Sequence, residues 1–241
     1  QARTAHGRFF NPPQHESFMM EQPPPYWILA VVAAPSFLLA WLSTYVVRKR
    51  AARWGLVDQP NDRKIHTQPT PLGGGLGIWF AVILTFGLGT IIVIASDHFS
   101  GIIPTEVIPY LTGIREELIS LWVLLLGGTF LMVLGLIDDI RGLSWKLRLT
   151  VQFVVALTCV VSQQWYFTAF IPYRIITIGC SVFWIVMLIN SFNMLDNMDA
   201  ASAGVAVISS CMLVLYVTIP GATPEGPQLF VAGFLMVFVG A

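Results

Sequence analysis

Gly135-Leu-Ile-Asp138-Asp139-Ile-Arg141-Gly-Leu-Ser-Trp-Lys146-Leu-Arg148-Leu-Thr-Val-Gln152 follows on a run, Leu118 to Ile137, that contains no charged side chain. At about 1.5 Å per residue, a helix of about 20 residues crosses a hydrocarbon core of about 30 Å. Membrane helices commonly end in cations, and this one ends in two adjacent carboxylates. The carbonyls left open at a helix C-terminus repel anions, and neighbouring like charges repel each other. Such a pair at a membrane edge needs a compensating cation. Arg141, Lys146 and Arg148 can supply part of it, and a divalent metal answers the need better. Two solvated loop aspartates are the plain alternative.

Hydrophobic residues make up 56% of the chain and charged residues 11%, which excludes an ordinary soluble domain. Lys and Arg number 13, as do Asp and Glu, so the net charge is zero. With no basic block carrying interleaved aromatics, nucleic acid is not an expected partner. Cys159, Cys180 and Cys211 all lie in apolar runs, at spacings that fit no metal site, and read as small buried hydrophobes. The chain starts with Gln1 and stops at Ala241 inside an apolar run, so it reads as a fragment.

Residues 1–25 are polar and proline-rich, the composition of an extended tail. Residues 26–241 read as one transmembrane domain. Its first span is Tyr26 to Val47, with Trp27, Trp41 and Tyr45 as interfacial aromatics and Pro35 as a kink. The run is too long for a signal peptide, and its cations follow it. Further spans are expected at Leu72 to Ser96, Leu118 to Ile137, Leu147 to Gln163, Ile175 to Phe192 and Ala203 to Ile219, with a seventh starting at Leu229. The fold class is therefore all-α: a polytopic transmembrane helical bundle of six complete spans and a truncated seventh.

Alternating spans put loops 48–71, 138–148 and 190–202 on one side, and the first two carry nine of the thirteen Lys and Arg residues. The opposite side has Arg3, Arg8, Arg115 and Arg174. By the positive-inside rule the three loops face the cytoplasm from a cell (inner) membrane, with the N-terminus outside.

Each loop carries a polar cluster. Asn190-Ser-Phe-Asn193-Met-Leu-Asp196-Asn197-Met-Asp199 lies between two apolar runs, where unused amides and carboxylates are costly. A step of three residues lags a helical turn by about 60°, so Asn190, Asn193, Asp196 and Asp199 cannot all share one face. A break near Asp196 or Asn197 is expected, as at a helix end lining a cavity. Oxygen-only ligands favour magnesium, or manganese, over zinc. In the first loop Arg63, Lys64 and His66 suit phosphate, and Gly73-Gly74-Gly75 opens a helix whose free N–H groups attract anions. Glycines in membrane helices more often serve close packing, and a single His is more often a surface residue. Carboxylates for a divalent cation, cations for phosphate and a place at the membrane edge together point to phosphoryl chemistry on a lipid.

The order D-x-P-x-x-R-K-x-H…P-T-P-x-G-G, then G-L-x-D-D…L-x-x-K-L-R…Q, then N-x-x-N-M-x-D-N-M-D resembles the polyprenyl-phosphate N-acetylhexosamine-1-phosphate transferases, over residues 54–241. The resemblance implies a magnesium-dependent membrane enzyme. Its expected partners are a polyprenyl phosphate lipid and a UDP-sugar, with a homodimer left open. The implied reaction moves a sugar-1-phosphate from the UDP-sugar to undecaprenyl phosphate, releasing UMP, for cell-envelope polysaccharide synthesis.

It places Asp138 and Asp139 at the catalytic and metal site, with Asn193 and Asp196 as further metal-ligand candidates. Asn190 and Asp199 fall at the nucleotide sugar, and Lys64, His66 and Thr70 near the phosphates. Arg63-Lys64-Ile-His66 and Asp196-Asn-Met-Asp199 resemble the branch that uses UDP-N-acetylglucosamine more than the phospho-N-acetylmuramoyl-pentapeptide branch, which usually carries Asp-Gly at 196–197. Ala200 and Ala201 depart from the family's Gly-Leu. A later Met-Gly-Asp-x-Gly-Ser motif and a histidine-containing loop are absent from this stretch, which is expected not to turn over by itself. An ion-coupled transporter is the alternative outside the enzyme class. It expects ionisable groups near the bilayer midplane, whereas these cluster at span ends.

Overall fold

The computed structural model describes residues 26–58, 70–71, 73–98, 101, 103–166, 171–196, 200–219 and 228–241. Seven helices follow one another: α1 Trp27–Trp54, α2 Gly74–Ala95, α3 Ile108–Arg141, α4 Trp145–Gln163, α5 Arg174–Leu195, α6 Ala201–Thr218 and α7 Leu229–Gly240. Among the described residues, six helices are long and apolar enough to cross a membrane, and α7, at 12 residues, is shorter. The chain is an all-α, multi-pass membrane bundle. Among the described residues its one departure is a pair of two-residue strands, β1 (Val57–Asp58) and β2 (Thr70–Pro71), antiparallel with Val57 opposite Pro71.

Two helices run further than their apolar runs. α1 continues unbroken through Pro35 and on to Trp54, so Arg48, Lys49, Arg50 and Arg53 lie on its last turns and not in a loop. Cations are favoured there by the helix dipole, and their long stems let the charges reach the polar boundary. Gly55, in the left-handed region at φ 73°, then ends the helix. α3 starts ten residues before its uncharged run, at Ile108, and its 34 residues span about 51 Å, longer than the hydrocarbon core. Its two carboxylates consequently stand on the last helical turn, at the boundary.

The helices pack as a chain of neighbours. α6 lies on α7, α7 on α1, α1 on α2, α2 on α3, α3 on α4 and α4 on α5, whereas α5 and α6 touch only lightly. Small residues let α1 and α2 approach closely. Ser43 Oγ donates to Gly77 O at 2.8 Å, and a Cβ on Gly77 would sit 2.5 Å from Thr44 Oγ1 and 2.9 Å from Thr44 Cα. Gly77→Val is therefore expected to destabilise the protein by about 1–3 kcal/mol, read as a lower melting temperature in detergent. Gly73 is constrained twice: its φ is 95°, and a Cβ there would meet Val47 Cγ1 at 3.2 Å.

α2 and α3 are cross-linked reciprocally. Trp79 Nε1 donates to Thr129 Oγ1 at 3.0 Å, and Trp122 Nε1 donates to Thr90 Oγ1 at 3.1 Å. Apolar contacts complete the joints. Val82, Leu121, Leu125 and Val237 join α2, α3 and α7, while Ala156, Val160, Val182 and Val186 join α4 to α5. Large side chains such as Ile119 and Ile175 face outward, Ile175 at 86% exposure, as suits a lipid solvent.

Alternation fixes two polar ends. At one, Arg115 caps the C-terminus of α2 through Val93 O, Ser96 Oγ (2.7 Å) and Asp97 Oδ1 (2.8 Å). Tyr26 Oη donates there to Thr218 O at 3.0 Å. The other end gathers the last turns of α1, α3 and α5 and the first turns of α2, α4 and α6. The second motif, the described residues 190–196 of the third, and the described flanks of the first (β1, β2 and the start of α2) belong to this second end.

Candidate active site

The unfavourable placement of Asp138 is resolved by the turn that follows it. Gly142 adopts φ 64°, and its N–H closes on Asp138 O at 2.8 Å. Leu143 alone then leads to Ser144, the N-cap of α4, whose Oγ accepts from Leu147 N at 3.4 Å. This tight reversal brings Leu143 N to Asp138 Oδ1 at 2.7 Å and Arg148 Nη1 to Asp138 Oδ2 at 2.6 Å. Of the three cations expected nearby, Arg148 pairs with Asp138, and both carboxylate oxygens are engaged. Asp138 is partly buried and Asp139, the next residue, is exposed.

One turn along α4 from Arg148 stands Gln152, on the same face. It is buried at 9% exposure. Its Oε1 accepts from Asn190 Nδ2 at 2.7 Å, and the same Nδ2 donates to Val186 O at 2.8 Å. The first turns of α4 thus hold the second motif through Asp138 and the third through Asn190. Arg148→Met would leave the Asp138 carboxylate without its cation. Because both partners are partly exposed, the expected loss is only about 1 kcal/mol, checked by melting in detergent.

Asn190 and Asn193 both lie on α5, which ends at Leu195 with Asp196 as its C-cap. The break falls where the spacing predicts it. Asp196 Oδ1 accepts from Ser202 Oγ at 2.9 Å, which ties the end of α5 to the first turn of α6. Asn193 and Asp196 are exposed. Lys64, His66 and Asp199 lie outside the described residues, and of Thr70 only the backbone, in β2, is described. Among the described residues no hydrogen bond joins Asp138 directly to Asn193 or Asp196. Gln152 and Ser202 had no assigned role at the sequence level. The signal for Gln152 was present, since an amide inside an apolar span is costly unless used.

Among the described residues, no three His, Cys, Asp or Glu side chains gather into a metal cluster. Magnesium does not need one, because it commonly binds through one or two carboxylates and keeps several waters. The donor set at this end, carboxylate and amide oxygens without sulfur, suits such a hard cation. Beside it lies an apolar cavity of about 530 Å³ between α2, α3, α4 and α5, lined among others by Gly75, Trp79, Gly128, Met132, Ala156 and Ile189. It runs from the first turn of α2 and from the neighbour of Asn190 into the bundle.

Fold and polar end together define a multi-pass α-helical membrane protein with carboxylates and amides collected at one boundary. The chain belongs to glycosyl transferase family 4, whose model matches residues 121–240. It is 28% identical over 187 residues, 75% of this chain and 46% of the relative, to the probable undecaprenyl-phosphate N-acetylglucosaminyl 1-phosphate transferase of Bacillus subtilis. It is 28% identical over 196 residues, 78% of this chain and 46% of the relative, to the undecaprenyl-phosphate alpha-N-acetylglucosaminyl 1-phosphate transferase of Escherichia coli. The decaprenyl-phosphate N-acetylglucosaminephosphotransferase of Mycolicibacterium smegmatis is 26% identical over 199 residues, 78% of this chain and 45% of the relative. The chain spans less than half the length of these relatives. No solved structure matches it.

Proposed function

We propose that the protein transfers N-acetylglucosamine-1-phosphate from its UDP-sugar to undecaprenyl phosphate at the cytoplasmic face of the cell membrane, releasing UMP. The observation that carries this reading is the Asp138–Arg148 and Gln152–Asn190 pairs on one α4 face, at the boundary end of an apolar span. Support comes from the names of the relatives and from the apolar cavity beside the site, which has the character to take hydrocarbon.

An oxygen of the lipid phosphate forms the new bond to the β-phosphorus of the UDP-sugar. The bond from that phosphorus to the bridging oxygen breaks, and UMP leaves with the electron pair. Arg148 and Leu143 N–H fix the Asp138 carboxylate on the α3–α4 turn. Asp139 projects at the boundary, where it takes a proton from the lipid phosphate or ligates the cation. Asn193 and Asp196 offer further oxygens, and from the first loop Lys64 and His66 offset phosphate charge, with Thr70 near the phosphates. Bound magnesium supplies neutralisation of the charge that spreads over the transferring phosphoryl group.

The test uses purified full-length protein in detergent with undecaprenyl phosphate and UDP-N-acetylglucosamine. Lipid-linked sugar phosphate and UMP are expected in equal amounts, without a sealed compartment. Substrate movement only across sealed vesicles, with no UMP, would instead identify a transporter. Product from UDP-N-acetylmuramoyl-pentapeptide alone would move the protein to the other branch.

A further inference from the structure

We infer that Gln152 is a positioning residue that turns the Asn190 amide so that it offers its oxygen, and not its N–H groups, to what binds at this end. The inference rests on the transfer reading above and deepens it. Asn190 Nδ2 has two hydrogens and two acceptors, Gln152 Oε1 at 2.7 Å and Val186 O at 2.8 Å. A backbone carbonyl can only accept, so the Asn190 atom beside Val186 O is the nitrogen. That nitrogen in turn requires the facing Gln152 atom to be oxygen, and the two amide orientations are interlocked.

With both hydrogens used, Oδ1 is the polar atom that Asn190 has left. It lies on the other branch of the planar amide, and the residue is partly exposed. An amide oxygen attracts O–H and N–H donors or a hydrated cation, and it repels phosphate oxygens. Asn190 therefore meets the uracil or sugar portion of the donor substrate, or a divalent cation, and not the phosphate oxygens. Gln152 is suited to hold it there. It is buried, and it shares the α4 face whose Arg148 orients Asp138, so one rigid face sets both motifs. The competing explanation is helix glue, a polar pair that only fastens α4 to α5.

Gln152→Met keeps length and volume but loses the acceptor, whereas Gln152→Glu keeps it. UDP-N-acetylglucosamine and magnesium are each titrated calorimetrically into the full-length protein in detergent, with melting temperature as control. The methionine variant is expected to bind one of the two about 5–10-fold more weakly, the effect of one misdirected hydrogen bond. The glutamate variant should stay within about twofold of the parent by the same measure. In an Asn190→Ala background, Gln152→Met should cause no further loss. Weaker nucleotide-sugar binding at saturating magnesium assigns Oδ1 to the substrate, and a raised magnesium requirement assigns it to the cation. Unchanged binding with a lowered melting temperature overturns the inference in favour of glue, as does a glutamate variant as impaired as the methionine one. A parent protein that binds neither probe overturns the transfer reading, and this inference with it. Normal binding by parent and variants alike removes the inference alone.

Discussion

Asp138→Asn, Asp139→Asn protein should form lipid-linked sugar phosphate at least about 10³-fold more slowly than the parent, while still extracting as a folded membrane protein. In the proposed reading the two carboxylates meet a cation and a phosphate, and loss of preorganised electrostatics at such a site commonly costs about 10²–10³-fold per group. The single variants should differ in kind. Asp138 accepts from Leu143 N and Arg148, so an amide there sets N–H groups against one of those donors and lowers the melting temperature as well as the rate. Asp139 stands exposed on the same turn, where a polar contact is worth little to stability, so its replacement should cut the rate with a smaller fall in melting. Activity and melting temperature measured side by side on three variants separate these effects.

Removal of divalent cations should have the second large effect. Chelation should reduce product formation to background, and added magnesium should restore it, with manganese as the nearest substitute. Zinc should not, because the candidate donors are carboxylate and amide oxygens and not the nitrogen and sulfur that zinc prefers. Titration of the chelated protein with each ion, followed by UMP release, checks the order.

Much of this architecture was legible in the sequence because a bilayer imposes a length. Each apolar run of sufficient length became a helix, and the lag of a three-residue step placed a break near Asp196 or Asn197, where α5 ends at Leu195 with Asp196 as its C-cap. Alternation of the spans placed the second and third motifs at one end, and there the α3–α4 turn and the end of α5 lie. Helix bounds were less legible where polarity and helicity part company. Residues 108–117 include Arg115, Glu116 and Glu117, so no hydropathy signal marks them, yet they begin α3. The basic residues after Val47 continue α1 for the opposite reason: charge ends a hydrocarbon span without ending a helix. The β1–β2 pair joins positions twelve or more residues apart, which alternation patterns over two residues cannot reveal.

At the site, sequence named Arg148 as one of three candidate cations, and the choice needed the Gly142 turn that swings it onto Asp138. Gln152 was visible as a residue but not as a partner, since its role depends on α5 lying against α4. Which helices lie side by side is set by small-residue contacts such as Gly77 against Thr44, and these carry almost no pattern in a chain where most positions are apolar.

The most direct measurement asks whether the second and third motifs share one side of the membrane. Single cysteines at Ile140→Cys and Met194→Cys, exposed positions beside the two motifs, would be placed in protein whose Cys159, Cys180 and Cys211 are replaced by Ser or Ala. A membrane-impermeant maleimide is then applied to sealed vesicles of each orientation. Both cysteines are expected to react only from the cytoplasmic side, and both to be protected by UDP-N-acetylglucosamine with magnesium. Reaction of one cysteine from each side would contradict a single site built from these motifs.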